Sequence, residues 1–135
     1  MSKSNTTEND FLKMALVGTD PAWRANPNVF IALHTADPGE AGTQTTSEAA
    51  YTGYARVSVT KATGWTDGGS NFSNAALLQF PQCTAGTAAA TFFSVGTLVS
   101  GAGQILYKGA LSATLNISAG IQPQFAAASL VVSED

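Results

Sequence analysis

The residues able to do chemistry in this chain are few, and most stand between His34 and Arg56. His34 is the only histidine and Cys83 the only cysteine. A hydrolytic triad would set His34 beside Asp37 and one of the serines, but no Gly-x-Ser-x-Gly elbow holds a nucleophile. At the end of an apolar run, His34 reads as a capped, hydrogen-bonded imidazole rather than a base. Zinc takes three or four His, Cys or carboxylate ligands, and one His with one Cys makes no recognisable set. Asp37, Glu40 and Glu48 carry oxygens of the kind Ca²⁺ takes, without EF-hand spacing. Asp37, before Pro38-Gly39, is more simply a turn former. A glycosidase holds two carboxylates at a defined separation, and acidic residues are too few after Asp67 to offer that pair. Gly101-Ala102-Gly103 opens like a dinucleotide fingerprint but lacks the third glycine and the helix, so it reads as a hairpin loop between Phe92–Val99 and Ile105–Tyr107. The expectation is a chain with no catalytic residue, no metal and no cofactor.

The elements that position these residues are mostly strands. Val29–His34 is a short apolar run bounded by turn residues, the mark of a buried strand. Asp37-Pro38-Gly39 stops it. A long loop of small polar residues, Thr35–Gly53, leads to an alternating run at 54–62, with Val57 and Val59 on one face and Arg56, Ser58 and Thr60 on the other. Loops of that length in compact domains are functional or disordered. Gly64–Gly69 is a turn-rich break. Further apolar runs follow at 75–80, 89–95, 104–109, 113–117, 121–126 and 129–133, about eight strands in all. That rhythm, with little helical pattern after Gly18, predicts an all-β antiparallel sandwich or barrel. Phe11, Leu12, Ala15 and Leu16 recur at helical spacing and predict a short N-terminal helix over 10–18, stopped by Gly18 and docked on one end of its own sandwich or, as the alternative, on a neighbouring subunit. Residues 1–9 read as a flexible arm ahead of a single domain at 10–135.

Composition narrows the partners. Of the 135 residues 44% are hydrophobic, as in globular chains, while only 11% are charged, against about 25% ordinarily. Between Gly68 and Ser133 the only charged side chain is Lys108. Either the outer faces are Ser, Thr, Asn and Gln, or partners cover much of the surface, since interface cores are depleted in charge. Net charge is −3, and the six basic residues (Lys3, Lys13, Arg24, Arg56, Lys61, Lys108) are scattered, whereas phosphate binding needs clusters. No nucleic acid is expected. A lone cysteine makes no intrachain disulfide, and no apolar run approaches membrane-spanning length. With no apolar leader at Met1–Asn5, synthesis in a reducing cytoplasm and no membrane partner are expected.

The series from Leu33-His34-Thr35-Ala36-Asp37-Pro38-Gly39-Glu40-Ala41-Gly42-Thr43 through Glu48 to Tyr51-Thr52-Gly53-Tyr54-Ala55-Arg56 resembles a family of small virion proteins from tailed bacteriophages. Its members are variously labelled tail-fibre-like, head decoration or cement proteins. The likeness continues through Phe80-Pro81, Leu106–Leu111 and Gly120–Ala127. The chain differs from the family pattern in a longer polar N-terminus and in Gln44-Thr45-Thr46-Ser47, where Asn-Glu is more usual.

The resemblance implies a jelly-roll-like β-sandwich that sits on the outer capsid surface as an oligomeric cement, a dimer or trimer bridging major capsid protein subunits. On that reading Phe11, Leu16, Asp37, Glu40, Glu48 and Arg56 are candidate contact residues, with the loop and arm ordering against the shell. Arg56 has an intrachain pair with Asp37 or Glu48 as its alternative role. A tail, neck or fibre component recognising host receptor or glycan is the other reading, and there Tyr51, Tyr54 and Trp65 would be exposed aromatic anchors.

Overall fold

A computed structural model describes residues 1–134. It is an antiparallel β-sandwich preceded by one helix, α1 (Asn5–Leu16). Nine strands follow: β1 (Asn28–His34), β2 (Val57–Thr60), β3 (Trp65–Asp67), β4 (Asn71–Asn74), β5 (Leu78–Gln79), β6 (Ala88–Gly96), β7 (Ile105–Ile117), β8 (Gln124–Phe125) and β9 (Val131–Ser133). They form a four-stranded sheet ordered β2-β1-β6-β7, a three-stranded sheet β3-β4-β9 and a two-stranded β5-β8 pair. No helix among the described residues is long and apolar enough to cross a membrane.

The core follows from period-two alternation. Val29, Ile31 and Leu33 of β1 point inward with Val59, Ala90, Phe93 and Val95, and meet Leu78, Phe80 and Leu130 from the other layers. An aromatic chain ties the layers together. Tyr51 packs edge-on to Tyr54 at 5.4 Å, Tyr54 stacks on Phe80 at 6.3 Å, and Phe80 and Phe93 both meet Phe125, at 6.1 and 6.4 Å. Cys83 is buried in this core as a free thiol.

The structure departs from the sequence expectations in several places. The helix begins at Asn5, not residue 10, because Ser4 is its N-cap, with Oγ accepting from the Thr7 N–H. The expected arm at 1–9 is accordingly docked: Ser2 exchanges backbone hydrogen bonds with Lys108, 3.1 and 2.8 Å. The break at Gly64–Gly69 is a hairpin, β3–β4, closed around Asp67-Gly68-Gly69-Ser70 with Asp67 Oδ1 accepting from the Gly69 N–H at 2.8 Å. Finally, the runs at 104–109 and 113–117 are one strand, β7, in which Phe92 faces Ala110 but Ala90 faces Leu115. Leu111–Thr114 thus stand against Thr91 alone, a bulge that breaks the alternation without ending the strand.

The helix also docks by its other face. Its polar side meets the sheet, where Ser4 and Thr7 hydroxyls donate to the Ile105 carbonyl at 2.7 and 2.6 Å and Asp10 accepts from Trp23 and Gln104, both at 2.8 Å. Leu12 and Leu16, expected to pack inward, are 57% and 79% exposed.

Candidate interaction site

The long loop between β1 and β2 is ordered by the chain itself. The Thr35 N–H donates to the Ser47 carbonyl and the Ala49 N–H to the Leu33 carbonyl, both at 2.8 Å, so Ser47–Ala49 runs beside the end of β1. The Gln44 N–H donates to Gly103 O at 2.8 Å, and Thr52 pairs with the backbone around Ala85. The loop therefore does not wait for a partner to order it.

Its anchor is Arg56, 7% exposed. Nε and Nη2 donate to the two carboxylate oxygens of Glu48 at 2.7 and 2.8 Å, a bidentate pair. Nη1 donates to Leu98 O at 2.9 Å and Gln44 Oε1 at 3.3 Å, and Nη2 to Gly101 O at 2.7 Å. All five guanidinium N–H groups are thus matched inside the chain. Of the two roles expected for Arg56, the intrachain pair is the one formed, with Glu48 and not Asp37. Tyr54 completes the cluster, accepting from the Leu33 N–H and donating to Glu48 at 2.8 Å. Burial and the neighbouring Glu48 carboxylate push its phenol far above the ordinary value.

Gln44 is the residue that sequence reasoning missed. It is fully buried, donates to Phe30 O at 3.1 Å and accepts from the Leu98 N–H at 3.1 Å. It lies flat against Gly96 and Gly103, where a Cβ on either glycine would fall inside the volume of its amide. Nothing in the sequence ties residue 44 to glycines more than fifty positions away.

The remaining loop carboxylates go to separate partners. Asp37 caps its own turn through the Gly39 N–H and pairs with Lys108 Nζ, each at 2.9 Å; these contacts, the amide first, hold its carboxyl below the ordinary value. Glu40 accepts from the Ser2 hydroxyl at 2.9 Å. Asp37, Glu40 and Glu48 are therefore not gathered into one cage. Tyr51 is buried, donates to Pro81 O at 2.6 Å, and is pushed up to about 12, chiefly by burial. Trp65 is half-buried in the wall between two sheets, and Phe11 half-buried against Trp23. Only Leu16, Asp37 and Glu40 of the nine candidates are well exposed.

His34 is fully buried and does hold a hydrogen-bonded imidazole. Nδ1 donates to Thr46 O and Nε2 accepts from the Ser94 hydroxyl, both 2.8 Å. Desolvation lowers its pKa below 6.5, with Arg56 opposing the charged form and Glu48 and Asp37 favouring it less strongly than burial disfavours it. The folded chain keeps this ring neutral where the unfolded chain protonates it, so its contribution is full above about 6.5 and lost as pH falls through the window below. We expect the urea midpoint to fall as the pH is lowered from 7 to 5.5. A midpoint that is flat over that range contradicts it. The lowered carboxyls of Asp10, Asp37 and Glu134 act only further down, below about 4.

A buried polar network that orders its own loop, aromatics turned into the core and a disulfide-free sandwich define a small all-β structural module. The chain belongs to the family described as Podophage GP4 fiber I protein gp80, whose model matches residues 2–133. It is a bacteriophage virion structural protein, a class that points away from catalysis. No curated protein matches it.

Proposed function

We propose that this chain is a non-enzymatic decoration subunit that docks on the outside of a tailed-phage head and bridges neighbouring shell proteins. The observation that carries the reading is the pairing of a self-ordered loop with exposed apolar side chains: Leu12, Leu16, Val17, Leu98 and Val99 all lie open, and such side chains, where they gather into a patch, serve protein contacts. Arg56 and Lys108 are occupied within the chain, so the basic charge left for phosphate is smaller than the sequence count, which supports a reading without a nucleic-acid partner. Major capsid protein subunits and further copies of this chain are the partners that fit, because an oligomer touching several shell subunits gains by effective concentration.

The family's printed description favours a second reading, a component of a fibre. A compact sandwich without an internal repeat suits an attachment or cap within such a fibre better than a shaft. Glycan recognition fits less well, since Tyr51 and Tyr54, two of its three candidate anchors, have their hydroxyls engaged inside the chain. Copy number per purified virion, by quantitative mass spectrometry against the major shell protein, tests the choice. A number comparable with the shell protein is expected for decoration, and a handful per particle overturns it in favour of the fibre.

A further inference from the structure

His34 is fully buried, yet the chain that closes over its Nδ1 edge is thin: Thr45, Thr46 and Ser47 are all exposed. Nδ1 faces the Thr46 carbonyl, which can only accept, so this nitrogen carries the proton and Nε2 takes the proton of the Ser94 hydroxyl. The two supports are unequal. Ser94 stands in β6, paired to Ala32 of β1 on one side and to Lys108 of β7 on the other. Thr46 is followed by Ser47, whose φ of 54° is left-handed and strained for a residue with a side chain.

A second proton on this ring finds no partner in the closed fold. Both nitrogens become donors, and the Ser94 hydroxyl must turn its own proton away from Nε2, with no second acceptor for it among the described residues. The charged groups that act on the ring are Glu48 and Asp37 from the loop and Arg56 from just before β2. Each carboxylate already holds a cation, Glu48 the bidentate Arg56 and Asp37 the Lys108 ammonium of β7. Tyr54, on the far side of Glu48, spends its hydroxyl proton on that carboxylate. An imidazolium here is an unbalanced buried charge, and such a charge is relieved by reaching water.

We propose that residues 45–47 are an acid-released cover over His34: a second proton on the ring breaks the closure at Thr46, and this turn swings out while β1 and β6 stay paired. The cover has built-in hinges. Gln44 and Glu48, on either side of it, are both bonded to Arg56, and their neighbours are fixed by the Gln44 N–H to Gly103 O and the Ala49 N–H to Leu33 O, each at 2.8 Å. Inside the hinges the backbone bond to β1 is the Thr35 N–H to Ser47 O, also 2.8 Å. The device belongs to the free chain and stands apart from its placement on the virion.

NMR amide exchange on the purified full chain, corrected for the intrinsic effect of pH, tests this. Thr35 is expected to exchange faster than Gln44 and Ala49, by a local opening that low urea leaves unchanged. From pH 7 to 5.5 its protection is expected to fall several-fold, and by no more than about tenfold per pH unit for one proton. His34→Gln can donate to Thr46 and accept from Ser94 without titrating, so it is expected to lose that response. The chain has one histidine, so its ring signal is unambiguous in wild type, and its midpoint is expected below about 6.5. A Thr35 amide protected as well as Gln44 and Ala49, or insensitive to pH, overturns the proposal. So does a ring titrating at or above the ordinary value, or a folded His34→Gln that keeps the response.

Discussion

Arg56→Ala is expected to cost about 3–5 kcal/mol of stability, the range for removing one partner of a buried ion pair. The loss has named components. Glu48 is left as a carboxylate in a half-buried site with only the Tyr54 hydroxyl to bond, and the carbonyls of Leu98 and Gly101 each lose a charged donor. Gln44 keeps Phe30 and Leu98 and loses only the second of the two donors to its carbonyl oxygen. In melting temperature the loss corresponds to roughly 10–20 °C for a domain of this size. Arg56→Lys is expected to recover only part, because an ammonium offers three donors from a point and the site has five acceptor positions in a planar fork. Glu48→Gln isolates the charge while keeping an acceptor, and a double-mutant cycle with Arg56→Ala gives the coupling between them. Urea midpoints of the three variants decide the matter. If Arg56→Ala lies within 1 kcal/mol of wild type, the network is not what holds the loop.

The functional consequence lies in the loop. Residues 35–56 hold the long loop between β1 and β2, and they are bound to the 97–104 connection by Arg56 and Gln44. Amide exchange in both segments should rise together in Arg56→Ala, because they open as one unit.

Strands with strong apolar periodicity were legible in the sequence, and polar or irregular ones were not. β1 reads from Val29–His34, and the β6–β7 hairpin from its flanking runs, because each buries hydrophobic residues on a continuous sheet. The hairpin of β3 and β4 reads as a break in the sequence because Thr66, Asp67, Asn71, Ser73 and Asn74 are polar, although Asp67-Gly68 is itself a strong hairpin signal. Asn74 explains part of that polarity: buried in β4, it donates to Ala126 O at 2.8 Å and accepts from the Leu130 N–H at 2.9 Å, pinning the crossing to β9. α1 misled in another way. Its apolar stripe is real, yet the side that docks is the one bearing Ser4, Thr7 and Asp10, since three hydrogen-bonding side chains found partners at Ile105, Gln104 and Trp23. Periodicity shows which residues share a face, not which face a neighbour takes. For the site, residue type placed Arg56 against Glu48 or Asp37 but was silent on Gln44, whose fit depends on two distant glycines meeting in space.

Phe80→Ala is expected to be of comparable size, about 3–5 kcal/mol, by a different mechanism. Phe80 is fully buried and stands at the junction of three layers, stacked on Tyr54 from the β1–β2 loop and set edge-on to Phe125 of β8. Its own backbone N–H donates to Pro123 O at 2.9 Å, so the ring is carried on a short segment fixed at both ends. Truncation opens a cavity that aromatic rings locked by hydrogen bonds cannot collapse into: Tyr51 is held by Pro81 O and Tyr54 by Glu48 and Leu33. The cost should therefore fall toward the upper end of the range, because cavities that relax least cost most. Phe80→Leu, which keeps most of the volume but loses the stacking, is expected to cost less, about 1–2 kcal/mol. The two losses are also expected to differ in kind. Both lower the global midpoint, but Arg56→Ala also releases the loop ahead of the rest, whereas Phe80→Ala leaves the loop's protection pattern unchanged relative to the rest of the chain. Amide exchange on both variants under native conditions separates them, and a Phe80→Ala protein that loosens only residues 35–56 would show that the aromatic chain serves the loop and not the sandwich.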